Sequence, residues 1–298
     1  MTGEALALGS ALAWSVAIIL FRRSEAVSPL ALNLFKNVTA TLLLAATFLL
    51  MGGTFSERSW SDWLRLIVSG VLGITFADVL FFHALRRLGP ARLAVVECAY
   101  APFIVALSVL FLDESMTPAF VVGASLVVGG MLTVALPSRR HRAVEPEGQR
   151  AKTLVGVLCG AVAMAAMGGA VVLAKPAFAN GSVIEVTLIR LIAGSLALLL
   201  FVLPVAERRA ELNVFRPQRV WFTLAPAAFI GSYLSSVLWI GGFKYAEASV
   251  AAVLNQTTTV FTLLLARLFL AEAFTRRSLL AVALGIIGTL LVALDPSR

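Results

Sequence analysis

Charge is the scarcest commodity in this sequence: 13% of residues are Asp, Glu, Lys or Arg, against 60% hydrophobic residues and a mean hydropathy of +0.95. Soluble domains carry about a quarter charged residues, so the deficit excludes an ordinary water-soluble fold. The apolar runs are apolar all round and come close to the ~20 residues needed to cross a bilayer. Cysteine is almost missing too. Cys98 and Cys159 both fall inside apolar runs, which excludes a disulfide framework and leaves two small core hydrophobes. Histidine occurs only at 83 and 141, and no H-E-x-x-H, G-x-S-x-G or C-x-x-C is present. The usual hydrolase, zinc-protease and thiol-redox signatures are therefore absent, and neither enzymatic activity nor a cofactor or metal is expected.

What charge there is leans basic, with a net +8 and a pI near 10.3. The basic residues sit in short connections between apolar runs rather than on one continuous face, which argues against a nucleic-acid partner. They are distributed as topology signals are.

The chain also repeats itself. LFLDESMT at 110–117 returns as LFLAEAFT at 268–275, an offset of 158 residues, and at this offset Gly73 meets Gly231, Phe103 meets Phe261, Glu114 meets Glu272 and Gly130 meets Gly288. One unit is used twice. Apolar runs near 4–21, 31–51, 66–85, 92–112 and 118–136 make five helices in the first unit; runs near 153–174, 182–203, 220–241, 248–270 and 278–294 make five in the second. The expected fold is an all-α membrane protein of ten transmembrane helices, with repeats over 1–137 and 153–298 joined by a polar linker at 138–152. The first run lacks a positive n-region and is followed by Arg22 and Arg23, so it reads as a retained helix rather than a secretory signal.

An odd number of helices per unit sends the second unit into the membrane from the opposite face, so the repeats are expected to be inverted. Sixteen basic residues fall in connections on one side and five on the other. The positive-inside rule then puts the linker in the cytoplasm and both termini outside. Trp60, Trp63 and Trp221 lie at run ends, where indole favours the interface. Thr117 and Pro118 form a hydroxyl cap and first-turn proline, so Glu114 and Glu272 read as closing a tight interhelical turn.

Ionisable groups inside spanning helices cost about 2.5–3.5 kcal/mol each on insertion scales and need a partner, a route to water or a function. Lys36, Asp78 and Glu97 all count to roughly 7–11 Å below the cytoplasmic surface at 1.5 Å per residue. The repeat maps Asp78 onto Ser236 and Glu97 onto Asn255, and Lys36 onto Arg190 at an offset of 154. Polarity recurs at all three positions, with Gln256 beside Asn255. Two clusters would then face each other across the midplane, where inverted-repeat transporters place their substrate. Snorkelling by Lys36 and helix-tying by Ser236 or Asn255 are the structural alternatives. Trp14, Tyr100, Tyr233 and Trp239 are aromatics with polar tips inside runs, and Tyr100 follows Glu97 at i+3. Candidate substrate-binding residues are thus Trp14, Lys36, Asp78, Glu97, Tyr100, Arg190, Ser236, Trp239, Asn255 and Gln256, with Asp78 and Glu97 as candidate proton carriers.

GPARLAVVECAYAPFIVALSVLFLDESMT, its weaker copy EASVAAVLNQTTTVFTLLLARLFLAEAFT, and the basic residues of LFK and LIR together resemble the drug/metabolite transporter superfamily, in particular its ten-helix EamA-type members. The resemblance covers almost the whole chain. Departures are Lys36, where such families usually show arginine, and Val260 in place of the first copy's Pro102. The first helix has no acid in its interior, unlike small multidrug-resistance relatives, which argues against a cationic-drug exporter of that kind. The resemblance implies a bacterial inner-membrane carrier, monomeric or homodimeric in the lipid bilayer, exporting a small metabolite such as an amino acid by alternating access. Carriage of a nucleoside, sugar-derived or cationic compound, and a non-transporting scaffold or receptor, are the competing readings.

Overall fold

The structure is a computed structural model that describes residues 3–24, 26–100, 102–104, 106–107, 118–135, 148–178, 180–245, 254–255, 257–271 and 276–293. Glu114, Glu272, Gln256 and most of the linker lie outside these residues. The described chain is helical, with no strand among the described residues.

The first half comprises α1 (Gly3–Arg23), α2 (Pro29–Leu50), α3 (Trp60–Leu88), α4 (Pro90–Glu97) and α5 (Pro118–Ala135). The second comprises α6 (Gln149–Phe178), α7 (Val183–Val202), α8 (Trp221–Tyr245), α9 (Thr257–Leu270) and α10 (Arg276–Ala293). Six of these, α1, α2, α3, α6, α7 and α8, are long and apolar enough to cross a membrane. The chain is an integral multi-pass membrane protein.

Local chemistry sets the ends. Ser28 caps α2 by accepting from the Ala31 amide at 3.0 Å, with Pro29 in the first turn. Ser182 caps α7 in a reciprocal box with Glu185. The two caps occupy repeat-related positions 154 residues apart, so the same N-cap chemistry starts the second helix of each half. Gly89, with φ of +75°, ends α3 in a conformation that a side chain would strain, and Pro90 then starts α4.

Two helices depart from regular α geometry at matched places. A π-helical segment occupies Val71–Ala77 inside α3, and another occupies Phe229–Leu234 inside α8. Their first residues are 158 apart. Hydropathy gives no sign of either.

Contacts between the halves come in exchanged pairs: α1 packs on α8 as α6 packs on α3, α1 on α9 as α6 on α4, and α2 on α8 as α7 on α3. The pairs α2/α7, α4/α9 and α5/α10 join equivalent helices directly. At the last crossing a methyl on Gly130 would run into the Ala281 carbonyl, and one on Gly288 into the carbonyl of Gly123, which is Ala281's repeat equivalent. Small residues permit this approach where lipid tails give no hydrophobic drive to helix association.

Polarity is arranged inside out. Leu42 and Leu200 are 65% and 71% exposed, whereas Lys36, Asp78 and Arg190 are 3%, 5% and 7% exposed. Phe21, Phe81 and Phe82 pack edge to face at 5.1 and 5.5 Å beside these charges, each such pair adding about 0.5–1.5 kcal/mol beyond its burial.

Where both ends are described, the helices start and stop within a few residues of the sequence expectation, except that α3 begins six residues earlier, at Trp60, where Ser59 caps it. The expected end of the fourth run at 112 and the expected start of the ninth at 248 lie outside the described residues, which show Pro90–Glu97 and Thr257–Leu270. One element went unforeseen. Ala206–Arg209 and the 3-10 turn Ala210–Phe215 form a short helical connection, docked by Phe215 on Phe35 and by the Trp221 indole, which donates to the Val214 carbonyl at 2.8 Å. Neither Cys98 nor Cys159 is in a disulfide, and the Cys98 thiol donates to the Ala94 carbonyl at 3.5 Å.

Candidate functional site

A cavity of about 200 Å³ lies at the junction of the two halves. Nine of the ten residues singled out in the sequence line it: Trp14, Lys36, Asp78, Glu97, Tyr100, Arg190, Ser236, Trp239 and Asn255. The tenth, Gln256, is outside the described residues. Ser10, Asn37, Thr187, Ser232 and Ser235 add polar groups that the sequence did not single out, because a single hydroxyl or amide in an apolar run has no distinguishing spacing.

Lys36 does not snorkel. Its Nζ lies 2.6 Å from Asp78 Oδ2 and donates to Asn37 Oδ1 at 3.0 Å, over the face of Phe82 at 5.6 Å. Asn37 is held in turn by Asn33 Oδ1 at 2.8 Å, and Asn33 donates to the Ile74 carbonyl at 3.0 Å. Ile74 is in the π-helical segment of α3, whose widened turn leaves that carbonyl available to a side chain. Asp78 is the first residue after the segment. Hence the π turn, a feature that recurs at functional sites, sets the register of Asp78 toward Lys36.

Glu97 was expected in the same cluster as Lys36 and Asp78, but its hydrogen bond comes from elsewhere. Trp14 Nε1 donates to Glu97 Oε1 at 3.4 Å, and Glu97 Oε2 is buried with no hydrogen-bond partner. The Tyr100 hydroxyl and Ser232 Oγ are likewise buried and unpartnered. In an interior where nearly all buried polar atoms are matched, three such atoms on one cavity are an unusual concentration.

On the other half, the Arg190 guanidinium lies 5.5 Å from the ring centres of both Phe178 and Trp239. Its Nε is buried without a partner. Phe178 belongs to α6 and escaped the sequence reading, since an apolar aromatic in an apolar run carries no signal of its own.

Away from the cavity, a second polar cluster ties the stretch before and at the start of α3 to the α6–α7 turn. Glu185 accepts from the Ser56 amide at 2.8 Å, from Ser56 Oγ at 2.9 Å and from Arg58 Nη1 at 2.5 Å. Both members of the ion pair are buried. Asn180, whose carbonyl accepts from Arg58, donates to Asp62 Oδ2 at 3.1 Å.

Apolar helices that turn their leucines outward around a chamber of buried charges define a membrane protein with a polar interior. The EamA-like transporter family profile matches residues 1–136 and 154–294, and the chain belongs to that family. A solved chain described as "Crystal structure of protein" shares the fold, with a TM-score of 0.66 at 17% identity over 98% of this chain and 96% of that one. No curated protein matches the sequence.

Proposed function

We propose that this protein is a secondary transporter that exports a small metabolite such as an amino acid across a bacterial inner membrane by alternating access. The observation that carries the reading is the cavity at the junction of the halves, lined by the charged and polar groups that the repeat relates to one another. The two units, 1–137 and 153–298, are inverted about an axis in the membrane plane: the exchanged pairs of interhelical contacts support a twofold relation, and an odd number of helices per unit makes that relation an inversion. Rocking one half against the other would then expose the cavity to each face in turn.

The cavity offers an acid and a base to a zwitterion. Glu97 carries an oxygen without a partner, and Arg190 a nitrogen without one. Coupling to protons rests with the acids. Asp78 is already bound to Lys36, so Glu97, whose one hydrogen bond among the described residues is from an indole N–H, is the better proton carrier of the two. A substrate ammonium competing with that proton would couple export to proton entry.

The test is flux of labelled metabolites through proteoliposomes under a pH gradient. Uptake of at least one amino acid above protein-free vesicles, reduced at least tenfold by Glu97→Gln or Arg190→Gln, is the expected result. No flux for any solute, in protein that remains folded, would favour a scaffold or receptor instead.

A further inference from the structure

Lys36 and Arg190 are repeat equivalents, yet their surroundings differ by one carboxylate. Lys36 is neutralised by Asp78 at 2.6 Å. The position equivalent to Asp78 in the second half is Ser236, and among the described residues Arg190 has neither an ion-pair partner nor a hydrogen bond. Asp78, whose charge acts on Arg190, is already committed to Lys36. We propose that Arg190 is the anion-binding residue of this chain, seating the oxyanion end of the solute in the place that a carboxylate at 236 would otherwise fill.

The inference rests on the cavity being the substrate site. A buried guanidinium kept for structure alone would be expected to spend its five N–H donors on carbonyls or carboxylates. Here the faces of Phe178 and Trp239 hold the cation but leave those in-plane donors unused. The edge of the guanidinium is thus available for a two-pronged bond to an oxyanion, a geometry that a lysine ammonium cannot reproduce. Lys36 is not an alternative receptor, because Asp78 and Asn37 already accept from its Nζ. Carboxylate, phosphate and sulfonate all present the required pair of oxygens.

The purified full chain in detergent is titrated with acetate, benzoate, inorganic phosphate and methanesulfonate, with acetamide and benzamide as neutral counterparts, and binding is read from the shift in melting temperature. We expect at least one carboxylate to bind at least tenfold more tightly than its amide, or phosphate or methanesulfonate to bind tenfold more tightly than either amide. The ranking of the anions identifies the headgroup. Arg190→Gln should abolish the response. Ser236→Asp should abolish it as well while melting no lower than the unaltered protein, since it supplies the missing counter-charge, and Ser236→Asn should keep it. Amides binding as well as carboxylates, an anion response that survives in Ser236→Asp or Arg190→Gln, or no response to any of the anions would overturn the assignment. Transport is read separately: solute flux that depends on Glu97 without any anion preference leaves the transporter reading standing and removes only this one, whereas anion binding as described without flux does the opposite.

Discussion

Arg86 donates to the carbonyl of Val27, and Lys244, its repeat equivalent 158 residues later, donates to the carbonyl of Gly181, the repeat equivalent of Val27 at an offset of 154. One cation at the end of α3 thus ties down the α1–α2 turn, and one at the end of α8 ties down the α6–α7 turn. In an inverted arrangement these clamps sit at opposite faces. They fix the start of α2 and of α7, the helices that carry Lys36 and Arg190.

The second clamp is reinforced by the buried Arg58–Glu185 pair. Removing one member of a buried ion pair costs about 3–5 kcal/mol because the other charge is stranded. Arg58→Ala should therefore lower stability by about 3 kcal/mol in a denaturation series. It should also raise the rate at which a thiol reagent reaches a cysteine placed in the cavity. A stability change below about 1 kcal/mol would mean that the pair does not hold this end closed.

Lys36 and Asp78 make the same argument in the core. Asp78→Asn strands a buried ammonium and should lower the melting temperature sharply, and the double change Lys36→Met with Asp78→Leu should recover most of the loss. A double-mutant cycle measures the coupling; additive single effects would show that the 2.6 Å contact contributes little.

Glu97 is tuned by a neighbour that can be altered without emptying the core. Trp14→Phe keeps an aromatic ring against Phe21 and Phe81 and removes only the N–H. Stability should fall by about 1 kcal/mol, while pH-driven flux changes several-fold and its pH profile moves. Glu97→Gln should abolish pH-driven flux and spare substrate exchange. If solute and proton compete for Glu97, apparent affinity should rise with pH across 5 to 8; a flat response would remove Glu97 from the coupling.

Much of this was legible in the sequence because the repeat served as an internal control. Three polar positions in apolar runs would each be ambiguous alone, but Lys36/Arg190, Asp78/Ser236 and Glu97/Asn255 recur together, and all six line the cavity. What escaped depends on tertiary placement. Trp14 reaching Glu97 and Phe178 reaching Arg190 join residues 83 and 12 positions apart, with no spacing rule to link them. The π turn of α3 is met by Asn33, whose side chain donates to the Ile74 carbonyl from another helix. The short helix over 206–215 had a weak signal, AERRAELNVF, rich in helix formers and ending in the apolar pair that docks it.

Orientation follows from loop charge and can be tested alone. In a chain otherwise free of cysteine, Gly148→Cys should resist an impermeant thiol reagent in intact cells, and Thr2→Cys should react. The reverse pattern would turn the protein over in the membrane and leave the relation between its halves unchanged.

The central claim, that one cavity opens to both faces in turn, is tested most directly by Ser236→Cys in that same background, reconstituted in one orientation and exposed to an impermeant thiol reagent on each side. Labelling from both sides is predicted, with each side's rate rising when the clamp at that end is loosened through Arg86→Ala or Lys244→Ala. Labelling from one side only, unchanged by either substitution, would contradict alternating access.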